Sequence, residues 1–543
     1  MAAEVSPSAA SWKVTLAVVL AAAALFAITV TDFEARVTDL SAARVLRGQV
    51  PYRDFWTMYA PGSFSVLAVA FAAFGRELIV SNVLGVLCAA ASIGAYHRLA
   101  VRGVSPVVAA IPSLVVAVAF LHSGYHNGFT GYPPAILLIW LGVGRLAEFV
   151  RTNARRAVLL AGTAFGLAML FKHDLTGYAC LASAVALLGA PERGIGHRCQ
   201  SVGLLAATVL AVVTPAVALL VALGAGADLA KDLIVWPLTD FRYVRPESFP
   251  LVPRLRPPAL TMAHEILHWA MLNIPLLAAA AGLVLIWRKR RRLDQEQRFL
   301  ILFALVFYPI VWTAAHVQIN THAVTMSALG ALLTTVGILG PSRVGGAHSH
   351  RALQLVCVAA ILWSGVLLVE PVARLTIGLA EGRQWLRLPH LTGITAWRKD
   401  ATEMRRLAVA LDQAAPADVP LLVLGNRNDI LVYAEGIPYW LTDRPRVTRH
   451  HELHPGITDT EIVQRRMLRD IESVGLPVLV REYRFKDAVL EQIKAEFLKR
   501  VPVGSTLLDE WIAHNYVSGS RFGNYELMEP RPTGPACAVN RKW

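Results

Sequence analysis

TDFEARVTDLSAARVLRGQVPYRDFWTMYAPGSFSVLAVAFAAFG, residues 31–75, decides how the rest of the chain is laid out. It follows directly on an apolar run, Trp12 to Val30, that is long enough to cross a bilayer. Asp32 and Glu34 stand just past the end of that run. A carboxylate at a membrane surface is costly unless solvated or paired, so both are candidates for function. An amphipathic segment with Leu40, Ala43 and Leu46 follows, then a turn at Pro51 and a third acid at Asp54. The Pro61-Gly62 break leads into a short apolar stretch that ends at Gly75.

The composition agrees with a membrane protein. Of 543 residues, 55% are hydrophobic and only 17% charged, and the mean hydropathy is +0.49. Repeated apolar runs approaching twenty residues mean a polytopic membrane protein. The first of these runs is longer than the apolar core of a signal peptide, and more follow it. The net charge of +14 would suit a nucleic-acid binder. It is unevenly spread, however: residues 1–370 carry +11 and residues 371–543 only +3. Basic residues in cytoplasmic loops are expected for topological reasons alone, and no nucleic-acid motif accompanies them. The five cysteines form no CxxC pair, which argues against both a zinc site and a disulfide framework.

Apolar runs near 12–30, 78–99, 104–122, 131–149, 156–172, 175–190, 201–224, 264–287, 299–316, 322–340 and 351–370 predict about eleven spans. Segment 61–75 is short for a crossing. With 61–75 lying along the interface, the loops rich in Lys and Arg (near 98–102, 151–156, 193–198, 288–298 and 343–351) all fall on one side. The N-terminus is then inside, and everything after Glu370 is outside. The fold class predicted is a mainly α polytopic protein carrying a small extracytoplasmic α/β domain. Its parts are a transmembrane domain 1–370 with its first outer loop at 31–77, a linker 371–397 and the α/β domain 398–543.

In that outer domain, 398–413 and 458–474 read as helices, the latter starting near Thr458. Residues 419–425, 476–482 and 522–530 read as strands, and 486–500 as a charged helix. The GNRND turn, Gly425 to Asp429, sits where α/β folds bind ligands but lacks a glycine-rich phosphate fingerprint.

An acid after the first span, then RVLRGQVPYRDFW, then Pro-Gly and an apolar helix ending in Phe-Gly: this order resembles the first extracytoplasmic loop of the GT-C glycosyltransferases. The bacterial branch related to protein O-mannosyltransferases and aminoarabinose transferases is the most similar. The resemblance implies that this loop holds the catalytic carboxylate and that the donor is a polyprenyl-phosphate-linked sugar. The hydroxyl acceptor would belong to a lipid, glycan or protein of the cell envelope. The expected location is the bacterial inner membrane, with the active site on its outer face.

Asp32 and Glu34 are the catalytic candidates, Asp32 preferred, because transfer to a hydroxyl needs a base within hydrogen-bond reach of the acceptor. Asp54 could orient the acceptor, pair with Arg53 or ligate a metal, and a structural role in its own turn is equally open. In FKHD, Lys172 and His173 emerge between two spans, where a cation can stabilise a departing lipid phosphate. The HVQINTH segment offers Asn320 and His322 for hydrogen bonds to sugar or phosphate. Related proteins often carry an acid where this chain has Asn320, and two histidines six apart make a weak metal signature. No metal is therefore assigned and no cofactor is firmly implied. The outer loop 225–263 contains Arg242 and Arg245 and could cover the site as a lid. The alternative is a polytopic lipid or glycan transporter or flippase. Such proteins place ionisable sites near the midplane, whereas the polar clusters here gather at one face.

Overall fold

The computed structural model describes residues 9–33, 36–189, 194–239, 259–288, 293–314, 319–339, 347–429, 436–453, 456–483 and 504–532. The chain opens with α1 (Ala9–Ala27), then α2 (Val37–Leu46) and α3 (Gly62–Phe74) of the first loop. There follow α4 (Leu78–Ala100), α5 (Pro106–Ser123), α6 (Tyr132–Thr152), α7 (Arg155–Phe171), α8 (His173–Leu188) and α9 (Ile195–Ala222). A short outer stretch holds α10 (Gly226–Ala230), a π turn (Lys231–Val235) and α11 (Trp236–Thr239). The helical part closes with α12 (Ala259–Arg288), α13 (Gln295–Ala314), α14 (Ile319–Leu339) and α15 (Ala347–Glu381). Apolar runs in lipid fold as helices because every backbone polar group must be satisfied within the segment.

Among the described residues, five helices are long and apolar enough to cross a membrane, within α4, α5, α6, α9 and α13. A sixth is added if α15, bent by 47° at Pro371, counts as one span. The remaining apolar helices, such as Ser11–Ala27 and His173–Leu188, are shorter. The basic turns of the sequence meet at one end of the bundle. Arg102 and Arg151 both pair with Glu296, at 3.0 and 2.7 Å, and Arg98 lies 3.9 Å over the Trp12 ring. His197 reaches Asn153 at 2.9 Å.

The first loop lies at the other end, against the C-terminal unit. That unit begins with antiparallel β1 (Arg383–Trp385) and β2 (Thr395–Trp397). It continues through α16 (Arg398–Ala414), β3 (Leu421–Gly425), α17 (Glu461–Val474), β4 (Val478–Glu482), α18 (Leu507–Asn515), β5 (Tyr516–Phe522) and β6 (Tyr525–Pro530). The larger sheet runs β3-β4-β6-β5, with β3 and β4 parallel and the other pairs antiparallel. Helices 398–413 and 458–474 and strands 419–425 and 476–482 therefore stand close to where periodicity placed them. The second helix begins after Thr460 rather than near Thr458. Strand 522–530 is instead the second arm of a hairpin whose first arm, Tyr516–Phe522, has too many polar residues to show as an apolar run. The expected helix 486–500 lies outside the described residues. The GNRND turn is closed by its own unit: Asn428 donates its backbone N–H and its amide to Asp509, each at 2.9 Å, and Gln464 donates to Asn428 O at 3.0 Å.

One apolar core joins the first loop to the C-terminal unit, with Leu40, Phe64 and Phe71 beside Leu407, Val423 and Trp440. The α3 helix thus packs on the C-terminal unit, its Phe71 edge-on to Trp440 at 6.0 Å. Several of the polar groups caught in this interface are paired, as burial favours, while Trp440 Nε1 and Arg76 Nε are buried without a hydrogen-bond partner. Buried Arg44 donates to Thr448 O at 3.2 Å and Asp54 O at 2.9 Å. Ser41 Oγ meets His451 Nε2 at 3.2 Å. Arg76 ion-pairs with Asp443, donates to Tyr439 O at 3.1 Å and lies over the Trp440 ring.

Two outcomes follow for stability. Trp440 is fully buried, so Trp440→Ala should cost about 3–5 kcal/mol and free the outer unit from the loop, read as accelerated proteolysis between residues 371 and 450. Burial and nearby cations push the buried His450 down to about 3 and His451 well below the usual histidine value. These rings stay neutral in the fold but titrate near 6.5 once unfolded. Their contribution is therefore present above pH 6.5 and fades as pH falls towards 3. Melting curves at pH 7.5 and 5 should show a smaller acid loss for His450→Phe than for the parent, since phenylalanine keeps the stack on Trp56 without a titrating nitrogen.

Candidate functional site

As the chain leaves α1 it makes an isolated parallel β-bridge. Thr395 N donates to Thr31 O at 2.7 Å and Phe33 N donates to Thr395 O at 3.0 Å, so residues 31–33 run parallel beside β2. Thr395 Oγ1 adds a bond to Thr31 O at 3.2 Å. From the other side, Asn82 Nδ2 donates to Val30 O at 2.7 Å and Asp32 O at 3.2 Å. The backbone of Asp32 is thus held from the bundle and the outer unit at once. Its carboxylate forms an ion pair with Arg383 of β1. Glu34 lies outside the described residues.

Arg36 carries this arrangement to the next outer loop. Its Nη2 donates to Gly124 O at 2.6 Å, and its side chain lies so close to Gly128 that a Cβ there would strike Arg36 Nε. Gly85 likewise lets α4 meet the backbone of Gly128, where any side chain would collide. His126 is tied down as well, to Thr29 Oγ1 at 2.7 Å and Phe120 O at 3.0 Å. The polar cluster at 122–134 is therefore largely a frame.

Lys172 sits on the other flank of the same loop. It interrupts the junction of α7 and α8 with an extended backbone. Its Nζ is 2.9 Å from Asp174 Oδ2 and 5.0 Å from the centre of the Tyr132 ring. The ammonium is mostly buried, with its side chain 14% exposed. His173 turns inward beside Leu233 of the π turn. A cation held by one carboxylate and one aromatic face is suited to an anion arriving from the membrane.

Asp54 accepts from Val50 N at 2.7 Å and takes both arms of Arg53 at 2.7 and 2.8 Å. The Arg53 guanidinium holds its carboxyl below the usual range. Of the roles open to Asp54, the geometry displays the turn and the pair with Arg53. Asn320 and His322 fall in the first turn of α14, with their side chains outside the described part. Arg242 and Arg245 also lie outside the described residues. Among the described residues no three His, Cys, Asp or Glu side chains converge as metal ligands would.

Sequence reasoning missed two groups. Arg383 is one, since nothing local distinguishes it from other arginines of the C-terminal unit. The second is a junction around Arg449, which pairs with Asp228 at 3.2 Å and Asp232 at 3.5 Å and donates to Tyr52 O. Burial pushes Asp232 up to about 7, with Arg449 opposing the shift. Trp56 packs edge-on to Trp236 and stacks on His450 at the same place. The two aspartates and Trp236 were visible as polar and aromatic residues of the outer loop, but their partner lies in a distant part of the chain.

No family model matches the chain, and no curated protein matches it. Solved structures do. ArnT from Cupriavidus metallidurans bound to undecaprenyl phosphate aligns with a TM-score of 0.55 over 96% of this chain and 98% of its own, at 13% identity. The apo state of the same protein aligns at 0.53, covering 94% and 97% at 12% identity. The archaeal oligosaccharyltransferase AglB from Archaeoglobus fulgidus, in complex with an inhibitory peptide and a dolichol-phosphate, aligns at 0.53, covering 94% and 74% at 12% identity. The match spans nearly all of ArnT and about three quarters of AglB, and it shows that this chain shares their fold, the GT-C fold.

Proposed function

We propose that the protein is a membrane glycosyltransferase that moves a sugar from a polyprenyl-phosphate donor to a hydroxyl acceptor at the outer face of the membrane. The observation that carries this is the position of Asp32. It stands at the exit of the first apolar helix, its carbonyl bonded to Asn82 of the bundle and its neighbours Thr31 and Phe33 bonded to Thr395 of the C-terminal unit. The cation Lys172 lies 5.0 Å from the ring of Tyr132, which closes the 124–132 loop that Arg36 reaches from the Asp32 side. Fold similarity to proteins bound to undecaprenyl and dolichol phosphates supports the donor class, although function inferred from a fold is an analogy. About eleven spans, an inside N-terminus and an extracytoplasmic C-terminal unit complete the proposal. The clustering of the basic turns away from the first loop supports that orientation.

In the reaction, Asp32 accepts the proton of the acceptor hydroxyl as its oxygen attacks the anomeric carbon. The bond from that carbon to the phosphate oxygen breaks, and the configuration inverts. The polyprenyl phosphate departs with the bonding pair, and Lys172 stabilises its charge. Asp174 and Tyr132 hold the ammonium in place. Arg383 orients the Asp32 carboxylate from β1. Glu34 assists in positioning, as do His173, Asn320, His322, Arg242 and Arg245 around donor and acceptor.

Asp32→Asn should lower transfer by roughly 10²–10⁴-fold at normal protein levels, measured as loss of labelled sugar from polyprenyl-phosphate donor in proteoliposomes. Glu34→Gln should lower it less. A loss below tenfold in both would remove the proposed base. Lys172→Ala should depress transfer by about one to two orders of magnitude, as expected for a charge-assisted contact worth roughly 1.5–3 kcal/mol. Lys172→Arg should retain part of the activity. Unchanged turnover in the alanine variant would make Lys172 a purely structural residue.

A further inference from the structure

A cavity of about 210 Å³ opens between the segment that carries Asp32 and the C-terminal unit. Phe33 and β2 form one wall, with Trp397 at its edge. The first turns of α16 supply Asp400 and Glu403, and the hairpin of β5 and β6 supplies Asn524 and Tyr525. Arg383 lines it too, and its guanidinium is the ion-pair partner of Asp32. The cavity therefore communicates with the proposed base through a single side chain.

Its chemistry is that of a sugar site. Aromatic rings stack on the apolar faces of a pyranose, while carboxylates and an amide take its hydroxyls. Asp400 is exposed and makes no ion pair among the described residues. Glu403 is half-buried and is bridged from outside by Arg406 at 3.0 and 3.2 Å. Two carboxylates against one already engaged arginine oppose a phosphorylated or carboxylated occupant, so the lining selects by repulsion as well as by fit. The volume lies below the usual range for drug-sized ligands and suits one sugar residue better than a lipid headgroup or a peptide loop.

We infer that this cavity binds the acceptor, and that the acceptor is the hydroxyl of an uncharged saccharide. This rests on the transferase proposed above and narrows its acceptor. A terminal sugar residue enters between Trp397 and Phe33, and Asp400, Glu403 and Asn524 hold its hydroxyls. Arg383 marks the passage to Asp32.

The test uses the full-length protein in lipid nanodiscs and saturation-transfer NMR with maltose, α-1,6-mannobiose and lactose as neutral probes. Glucose 6-phosphate is the charged probe, and undecaprenyl phosphate reports separately on the donor site. At least one neutral disaccharide should bind saturably and more tightly than glucose 6-phosphate. Its affinity should fall at least tenfold in Trp397→Ala and in the exposed variant Asp400→Asn, with undecaprenyl phosphate binding unchanged in both. Absence of neutral-sugar binding, preference for the phosphorylated sugar, or binding that survives both substitutions would overturn the inference. Loss of undecaprenyl phosphate binding in Trp397→Ala alone would mark a folding defect, and Asp400→Asn then decides. Saturable neutral-sugar binding by a parent protein that does not hold undecaprenyl phosphate would uphold the cavity while sinking the transferase.

Discussion

The backbone pairing between Thr31–Phe33 and Thr395 is the contact on which the rest of the structure depends. An extended segment leaving a membrane helix exposes N–H and C=O groups that need partners. Here the outer unit supplies them on one side and Asn82 of α4 on the other. That double fixing places a carboxylate where the bundle, the first loop and the outer unit meet. A loop merely tethered to the membrane could not hold Asp32 with comparable precision, and catalytic groups need positions held to fractions of an ångström.

The cost of such an interface is the burial of charge. Arg44, Arg76 and Arg449 all leave water when the outer unit docks, and burial, reinforced by neighbouring arginines, pushes Arg44 and Arg76 down to about 10. Each recovers part of that cost through carbonyl or carboxylate partners from the opposite element. These contacts are directional where the shared apolar core is not. The core supplies most of the adhesion, and the arginines supply the registration.

Much of this was legible from residue order. The apolar runs, the short interfacial helix and the Asp32 motif stand out because hydrophobic length and turn residues act locally. The β3–β4 pair could be read for the same reason, being two continuous apolar stretches ending in Gly and Glu. Arg383, Arg449 and the wall of the saccharide cavity could not. Each acquires its role from a partner hundreds of residues away, and no periodicity encodes such a meeting. The cluster from His122 to Tyr132 shows the converse: its histidines stand out in the order of residues, yet His122 and His126 are taken up in bonds to Leu367 O, Phe120 O and Thr29.

The shared core of the first loop and the C-terminal unit has a consequence for the order in which the protein is made. The loop leaves the ribosome more than 300 residues before its partners at Thr395, Trp440 and Thr448. Until the final helix is inserted, Arg44 lacks its Thr448 acceptor and the edge at Thr31–Phe33 has no strand beside it. Contacts of such sequence separation form slowly and leave apolar surface exposed in the meantime. The face that carries Asp32 is thus assembled only after β2 has been made, and a product truncated before β2 keeps its helices but lacks that face.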